Sequence, residues 1–373
     1  FLAPFGRESL RTPGALGRFA PGARLDPAKN EHQRVSAGFS SITKQSLDKA
    51  PGRNDSFRLN NHRPILMTSS IPSPIVLPSY LSASDLDSIL QNALDEDIGP
   101  GDVTTEATIP PDRQATARIV AKEAGVVAGL AAAERVFHLV SEALSVKWLC
   151  DDGASVEGGA VVGRLSGHAA ALLTGERLAL NLLQRMSGIA TATRRMVDAV
   201  HPHDTDVLDT RKTAPGLRLL DKWAVRLGGG TNHRIGLYDL ILIKDNHIAA
   251  AGGLPAVLDA ALDYRAAHDP SLKIEVETRT LDEVRTACEH GGADILLLDN
   301  MVSVTEDGTV DTTQLEQAVA LVDGRARTEA SGNVTLASAR AIAATGVDAL
   351  SSGALTHSVT ALDLSMRMTL QDA

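Results

Sequence analysis

Residues 210–247 read TRKTAPGLRLLDKWAVRLGGGTNHRIGLYDLILIKDNH. Arg211, Lys212, His233, Arg234, Lys244 and His247 gather here around two short apolar strand patterns, VLD (207–209) and DLILI (239–243). Basic residues just past the C-terminal end of a strand sit at the mouth of an α/β sheet or barrel, where ligands bind. Cations grouped there suit a small, highly charged anion.

Downstream, apolar strand patterns alternate with helical ones. The strands are DVLDT (206–210), DLILI, LKIEVE (272–277), ADILLLDN (293–300), RTEASGN (327–333) and VDALSSG (347–353). Between them lie LPAVLDAALDYRA, LDEVRTACEHGG, TTQLEQAVALV and LASARAIAATG. This alternation predicts a parallel sheet, open or closed. Nearly every strand ends on a polar residue or Gly, including Lys244, Glu277, Asp299, Ser331-Gly332 and Ser352-Gly353. An open sheet gathers ligand residues at one switch point. A barrel points every strand end at one centre, so a barrel is favoured. Glu277 and Asp299 taken singly read as solvated strand ends; together they suit magnesium, which takes one or two carboxylates plus substrate phosphates. EASGN and SSGAL read as ordinary turns or, on the last two strands, as a phosphate loop. The triple glycine 228–230 is expected to keep a loop mobile enough to close over substrate.

Upstream, Ser84 and Asp87 ahead of Ile89, Leu90 and Leu94 read as a capped helix ending at Gly99-Pro100-Gly101. ATARIVAK (115–122), LSVKWLC (144–150) and ASVEGGAVVGRL (154–165) read as strands, with a helix over about 130–141. That is an α+β unit with helices on one side of a small sheet. DGASVEGGAVVGRLSG is similar to a biotinyl or lipoyl hairpin, but a carrier needs Lys at an exposed tip, and Lys122 and Lys147 lie inside strand patterns. Residues 168–200 read as one long buried helix or a broken pair. Thr174, Arg177, Asn181 and Gln184 fall on one stripe of it. Arg177 must find an anion there: Glu176 or another carboxylate, or a ligand in an active site, including one across a subunit interface.

The 373 residues suffice for two domains. Residues 1–66 hold 11 Lys+Arg against 5 Asp+Glu, leaving 25 basic and 41 acidic in the rest. An acidic body with a local basic cluster argues for a small anionic substrate and against nucleic acid, which wants a broad basic face. Cys150 and Cys288 stand far apart, which fits a reducing compartment and neither a disulfide framework nor a zinc site. No apolar run reaches the roughly 18 residues of a membrane span. Residues 1–66 carry five of the six Phe without helical spacing and read as disordered. Pro72, Pro74 and Pro78 make a stiff lead-in, and Met67 is a candidate start. The location expected is cytoplasmic; the rival is an organelle-targeting peptide over residues 1–66, against which its acidic residues count.

The motifs EDIGPGDVTTEATIP, LTGERLALNLLQRMSGIAT, the 210–247 stretch, IEVE, LLLDN, EASGN and SSGALTHS together make the chain similar to the quinolinate phosphoribosyltransferases over about residues 81–368. The resemblance implies a leader (1–80), an N-terminal α/β sandwich (81–195, joined by 355–373) and an incomplete α/β barrel of six to seven strands (196–354). It implies that quinolinate and phosphoribosyl pyrophosphate give nicotinate mononucleotide, pyrophosphate and carbon dioxide, with Mg2+, in NAD biosynthesis. It implies a homodimer or larger homo-oligomer, up to a hexamer, without nucleic-acid or membrane partners.

By resemblance, Arg177 of a neighbouring subunit, Arg211, His233 and Arg234 hold the ring, since Arg recognises carboxylate with paired hydrogen bonds, and Thr213 is a further substrate-binding residue. Lys212 and Lys244 face substrate and pyrophosphate, and Glu277 and Asp299 hold magnesium beside the ribose. Ser331, Gly332, Asn333 and Gly353 take the ribose phosphate, with His357 nearby. Lys212, Lys244, Glu277 and Asp299 are the residues expected to carry catalysis. The nearest rival is a phosphoribosyltransferase for nicotinate or another anionic heterocycle, and three Arg with a His favour the diacid. A rival of another class is a catalytically dead anion-binding protein, against which Lys212, Glu277 and Asp299 all stand.

Overall fold

The computed structural model describes residues 77–370. The disordered reading of residues 1–66 lies outside the described residues, as do Pro72, Pro74 and residues 371–373. Leu77 and Tyr80, counted with the leader on sequence, already pack against the core.

The C-terminal sheet has six parallel strands: Asp206–Leu208, Ile241–Ile243, Ile274–Thr278, Ile295–Asp299, Arg327–Ser331 and Ala349–Ser351. Their spatial order runs from the second strand through the sixth and then to the first. That is the sequential order of a barrel. The first and second strands do not pair, so one seam stays open. Only a bridge from Leu208 to Thr231 reaches into it. Every residue of Ile274–Thr278 is buried, Glu275 and Glu277 included, as expected of a sheet covered on both faces.

The N-terminal sheet is antiparallel, in the order Leu364–Leu370, Gln114–Ala121, Val161–His168, Ser145–Trp148. The C-terminal strand thus returns to close the first domain, pairing Ala117 with Met368 and Ile119 with Met366. The single strand expected over 154–165 is two: Ser155–Val156 pairs with Gly125–Val126, and Val161–His168 joins the main sheet. A turn at Glu157–Gly159 separates them. The first helix, Ala83–Ile98, is capped by Ser82, two residues before the expected Ser84. Ser82 Oγ accepts from Asp85 N and the Asp85 carboxylate accepts from Ser82 N. Asp87 instead pairs with Arg135 through two hydrogen bonds of 2.7 and 2.9 Å.

One unbroken helix, Ala169–Val200, joins the two parts. Leu172 to Ala190 serve the first core, while Met196 and Val200 serve the barrel core. Helix Arg218–Leu227 follows the first barrel strand, yet Leu220, Trp223, Ala224 and Val225 pack into the first core. The loop between the first two strands is thereby anchored away from the barrel, which accounts for the open seam.

The triple glycine is packed rather than hinged. A Cβ at Gly228 would stand 2.5 Å from Ala190 O, and one at Gly230 would stand 3.0 Å from Val207 O. Both contacts are with backbone, so these glycines let the loop lie against the long helix and the first strand.

Candidate active site

At the C-terminal ends of the barrel strands lies an open cavity of about 620 Å³. From the first loop come Arg211, Lys212, His233 and Arg234; from strand ends come Lys244, Glu277, Asp299, Ser331 and Gly332. The sequence expected all nine in one site, and the fold brings them to one cavity. Gly353 and His357 stand at its edge: a Cβ at Gly353 would lie 2.7 Å from Lys212 Cδ and 3.0 Å from His357 Cδ2. Thr213 and Asn333 do not line the cavity. Thr213 Oγ1 accepts from Arg218 Nε at 3.1 Å, and Asn333 Nδ2 donates to Val302 O at 2.9 Å. Both shape the loops behind the site. Arg177 is exposed on the long helix and is absent from the lining. Of its stripe, Thr174 donates to Asp102 and Gln184 to Leu364 O.

The first loop is held from below by two ion pairs. Lys222 and Asp209 are both fully buried and in direct contact. Asp209 also accepts from Asn232 Nδ2 at 2.6 Å and from His233 N at 2.9 Å, and Lys222 donates to His233 O at 3.1 Å. Burial raises the Asp209 carboxyl and lowers the Lys222 amine, and the contact between them opposes both shifts. Arg185 grips Asp221 through two hydrogen bonds of 2.8 Å. Asp221 in turn accepts from Ala214 N at 3.1 Å, and Thr356 Oγ1 donates to Lys212 O at 2.9 Å. These contacts fix the backbone that presents Arg211 and Lys212.

Arg211 Nε is buried without a hydrogen-bond partner. The Arg234 guanidinium is pulled below its ordinary pKa by burial and then by the positive charge of Arg211. Among the described residues neither Arg forms an ion pair. Two adjacent cations lacking a carboxylate make a site for an anion bearing more than one charge.

The opposite wall is a chain of charges. Glu277 is nearly buried and receives Lys244 Nζ at 2.5 Å on Oε2 and Arg279 Nη2 at 2.9 Å on Oε1. Arg279 Nε reaches Asp299 Oδ2 at 3.3 Å and its Nη1 reaches Asp245 Oδ2 at 2.9 Å. Burial, and next the charge of Glu277, raise the Asp299 carboxyl. Sequence reading missed Arg279. Its signal was there: it stands two residues beyond Glu277, just ahead of the Thr280–Glu283 capping box that opens the next helix. Asn300 was missed too; its Nδ2 donates to Asp299 Oδ2 at 2.7 Å and its Oδ1 closes over Gly332.

At the floor, Glu275 and Glu329 are buried one strand-repeat below Glu277 and Ser331, and Glu329 still lines the cavity. His233 Nε2 lies 2.9 Å from Glu275 Oε2 and 3.5 Å from Glu329 Oε2. Burial opposes charge on this imidazole, but the two carboxylates outweigh it and lift its pKa. Burial, then the charge of Glu275, push Glu329 up to about 7. The period-2 alternation of IEVE and TEAS places both on the inner face, a signal that sequence reading left unused.

Two sets of carboxylates could therefore hold a cation. His233, Glu275 and Glu329 offer donor atoms within 4.8 Å of one another. That set is closed by its own imidazole contact and by a carboxyl that keeps its proton to near neutrality. Glu277 and Asp299 face the cavity, offer only oxygen, and are bridged by one guanidinium. The second set fits magnesium, a hard ion that shares its shell with substrate phosphates.

Residues 102–187 match the model of the quinolinate phosphoribosyl transferase N-terminal domain, and residues 189–367 match that of its C-terminal domain. The chain belongs to the quinolinate phosphoribosyltransferase family. A quinolinate phosphoribosyltransferase [decarboxylating] 1b of Nicotiana tabacum is 47% identical over 310 residues, covering 82% of this chain and 88% of that protein. A chloroplastic nicotinate-nucleotide pyrophosphorylase [carboxylating] of Arabidopsis thaliana is 50% identical over 297 residues, covering 78% and 84%. The crystal structure of NadC from Streptococcus pyogenes superposes with a TM-score of 0.71 at 40% identity, covering 78% of this chain and 99% of that one. Among quinolinate phosphoribosyltransferases, then, this chain carries the open six-stranded barrel and the cavity just described.

Proposed function

We propose that the chain transfers the phosphoribosyl group of phosphoribosyl pyrophosphate to quinolinate with decarboxylation, forming nicotinate mononucleotide, pyrophosphate and carbon dioxide for NAD synthesis. The observation that carries this reading is the pairing of Arg211 and Arg234 without a carboxylate, in the same cavity as Lys212, Lys244, Glu277 and Asp299. A pyridine diacid supplies the two missing carboxylates, and each guanidinium can take one with parallel hydrogen bonds. Nicotinate, with a single carboxylate, would leave one cation uncompensated. Ser331, Gly332 and the edge formed by Gly353 suit the ribose phosphate, because glycine lets backbone N–H groups approach closely.

The pyridine nitrogen carries no proton and attacks the ribose carbon without a general base. The carbon–oxygen bond to the diphosphate breaks through an oxocarbenium-like state, and Lys212 and Lys244 stabilise the charge left on the diphosphate. Glu277 and Asp299 would hold magnesium, whose charge would further offset that leaving group. The alkylated ring is cationic. The carbon–carbon bond to the carboxylate next to the nitrogen then breaks, carbon dioxide leaves, and the electron pair on the ring carbon is stabilised by the adjacent positive nitrogen before it takes a proton. The protein orients the two substrates and keeps water out.

Arg177, exposed and outside the lining, supports an assembly in which this residue completes a neighbour's site. Among the described residues no helix is long and apolar enough to cross a membrane. The basic balance of residues 1–66, beside a relative named chloroplastic, favours an organelle address over a cytoplasmic one. Release of labelled carbon dioxide from quinolinate in the presence of phosphoribosyl pyrophosphate tests the reaction. Arg211→Ala should abolish both quinolinate binding and release; a variant that binds and turns over normally would remove Arg211 from the site.

A further inference from the structure

Both oxygens of Glu277 are taken by protein cations, Oε2 by Lys244 and Oε1 by Arg279. Asp299 Oδ2 is shared between Arg279 and Asn300. A divalent cation bound to these carboxylates competes with those donors, because a guanidinium and a metal ion held on the same carboxylates repel each other. Arg279 is the donor built to leave. Its side chain is half exposed, as is that of Lys244, but Arg279 alone spans both Glu277 and Asp299 and has a third carboxylate contact to fall back on. Its backbone is pinned on both sides: its N–H donates to Glu283 at 2.7 Å and its carbonyl accepts from Gln314 at 3.1 Å. Its third contact, Asp245, sits in the first turn of the helix that follows the second barrel strand, also half exposed. The head group can therefore swing while its root stays fixed and one anchor persists.

We propose that Arg279 is a displaceable counter-cation: it neutralises Glu277 and Asp299 until a divalent cation arrives with the diphosphate, then turns about its Asp245 contact to bind that diphosphate. Guanidinium is suited to both tasks, because its planar fork matches carboxylate and phosphate oxygens alike. This device prevents two like-charged carboxylates from facing each other uncompensated in the free enzyme. It also places a further cation beside Lys244 on the leaving group. The inference rests on the assignment of magnesium and diphosphate to this wall.

Binding of Mn2+, followed by its paramagnetic resonance, and of inorganic pyrophosphate, followed by calorimetry, tests it on the full chain without turnover. In Arg279→Gln, Mn2+ alone should bind about two- to five-fold more tightly, the scale of a half-exposed ion pair removed. Pyrophosphate with Mn2+ should bind at least about ten-fold more weakly, the scale of one charge-assisted hydrogen bond. Arg279→Lys keeps the charge without the fork, so Mn2+ affinity should stay near wild type while pyrophosphate affinity falls part-way. Arg279→Gln with both affinities unchanged, or with both weakened alike, overturns the proposal while leaving the magnesium assignment standing. Wild-type protein that binds no Mn2+ with pyrophosphate, or a Glu277→Gln variant that binds them as wild type does, overturns that assignment and this inference with it.

Discussion

Lys222 touches Asp209 where both side chains are wholly buried, and every other group on Asp209 belongs to the strap that carries His233. Asp209 ends the first barrel strand and Lys222 lies on the helix that packs into the N-terminal core. The pair therefore ties the cationic half of the cavity to the neighbouring domain.

Removing one partner should unfold this connection. Lys222→Met leaves a buried carboxylate with its hydrogen bonds but no countercharge. A loss of about 3–5 kcal/mol is expected for a buried pair broken from one side. Urea unfolding of wild type and variant measures it. A change of less than about 1 kcal/mol, the scale of an exposed pair, would show that the contact is not desolvated in solution.

Glu329 keeps its proton in the folded chain to about pH 7, whereas its ordinary value is 4.5. Between those values the folded chain binds more protons than the unfolded one, so stability falls as pH rises through the window. His233 adds a contribution of the same sign: its raised pKa stabilises below the ordinary 6.5, and the gain is lost as pH climbs through the folded value. Glu329→Gln keeps a donor toward Glu275 and has no proton to lose. Its unfolding free energy should be flatter than wild type between pH 5 and 7, by roughly 2 kcal/mol over the window if Glu329 acts alone. Parallel profiles for the two proteins would place the proton elsewhere.

The cations and carboxylates of the cavity were legible because strand ends in an α/β barrel converge by geometry: Lys244, Glu277, Asp299 and Ser331 each stand at or beside the end of a strand. The open seam was harder to read. It depends on helix Arg218–Leu227 burying its apolar face in the other domain, and amphipathicity does not say which core a helix joins. The triple glycine was misread for a related reason. Sequence shows conformational freedom, but only the fold shows that Gly228 and Gly230 have backbone where a Cβ would go. Arg279 escaped because a basic residue ahead of a helix cap looks like surface until three acidic residues from two strands and a helix start close around it.

Gly332 ends the fifth strand with φ +81°, and a Cβ there would stand 2.1 Å from Asn300 Oδ1. Gly332→Ala therefore brings both backbone strain and a clash with the residue that hydrogen-bonds Asp299. The strain alone is expected to cost about 1–3 kcal/mol. KM for phosphoribosyl pyrophosphate should rise more than KM for quinolinate, because the phosphate wall moves and the Arg211 wall does not. Equal rises would indicate a general loss of structure, which the unfolding curve would reveal independently.

Arg177 gives the sharpest test of assembly, because in a single chain it is exposed and lines no part of the cavity. If it serves only its own helix, Arg177→Ala should leave turnover unchanged, since an exposed side chain away from a site contributes little. If it completes the site of a second copy, the variant should lose most activity while its barrel folds normally. Mixing then separates the cases. Arg177→Ala and Arg211→Ala chains would each be inactive alone, since every site lacks one guanidinium. In a mixed dimer, one of the two sites receives Arg177 from one chain and Arg211 from the other, and activity returns in that site. Recovery on mixing and exchange is the expected result, read as carbon dioxide release from quinolinate. Absence of recovery, with exchange shown by mass, would confine Arg177 to its own chain.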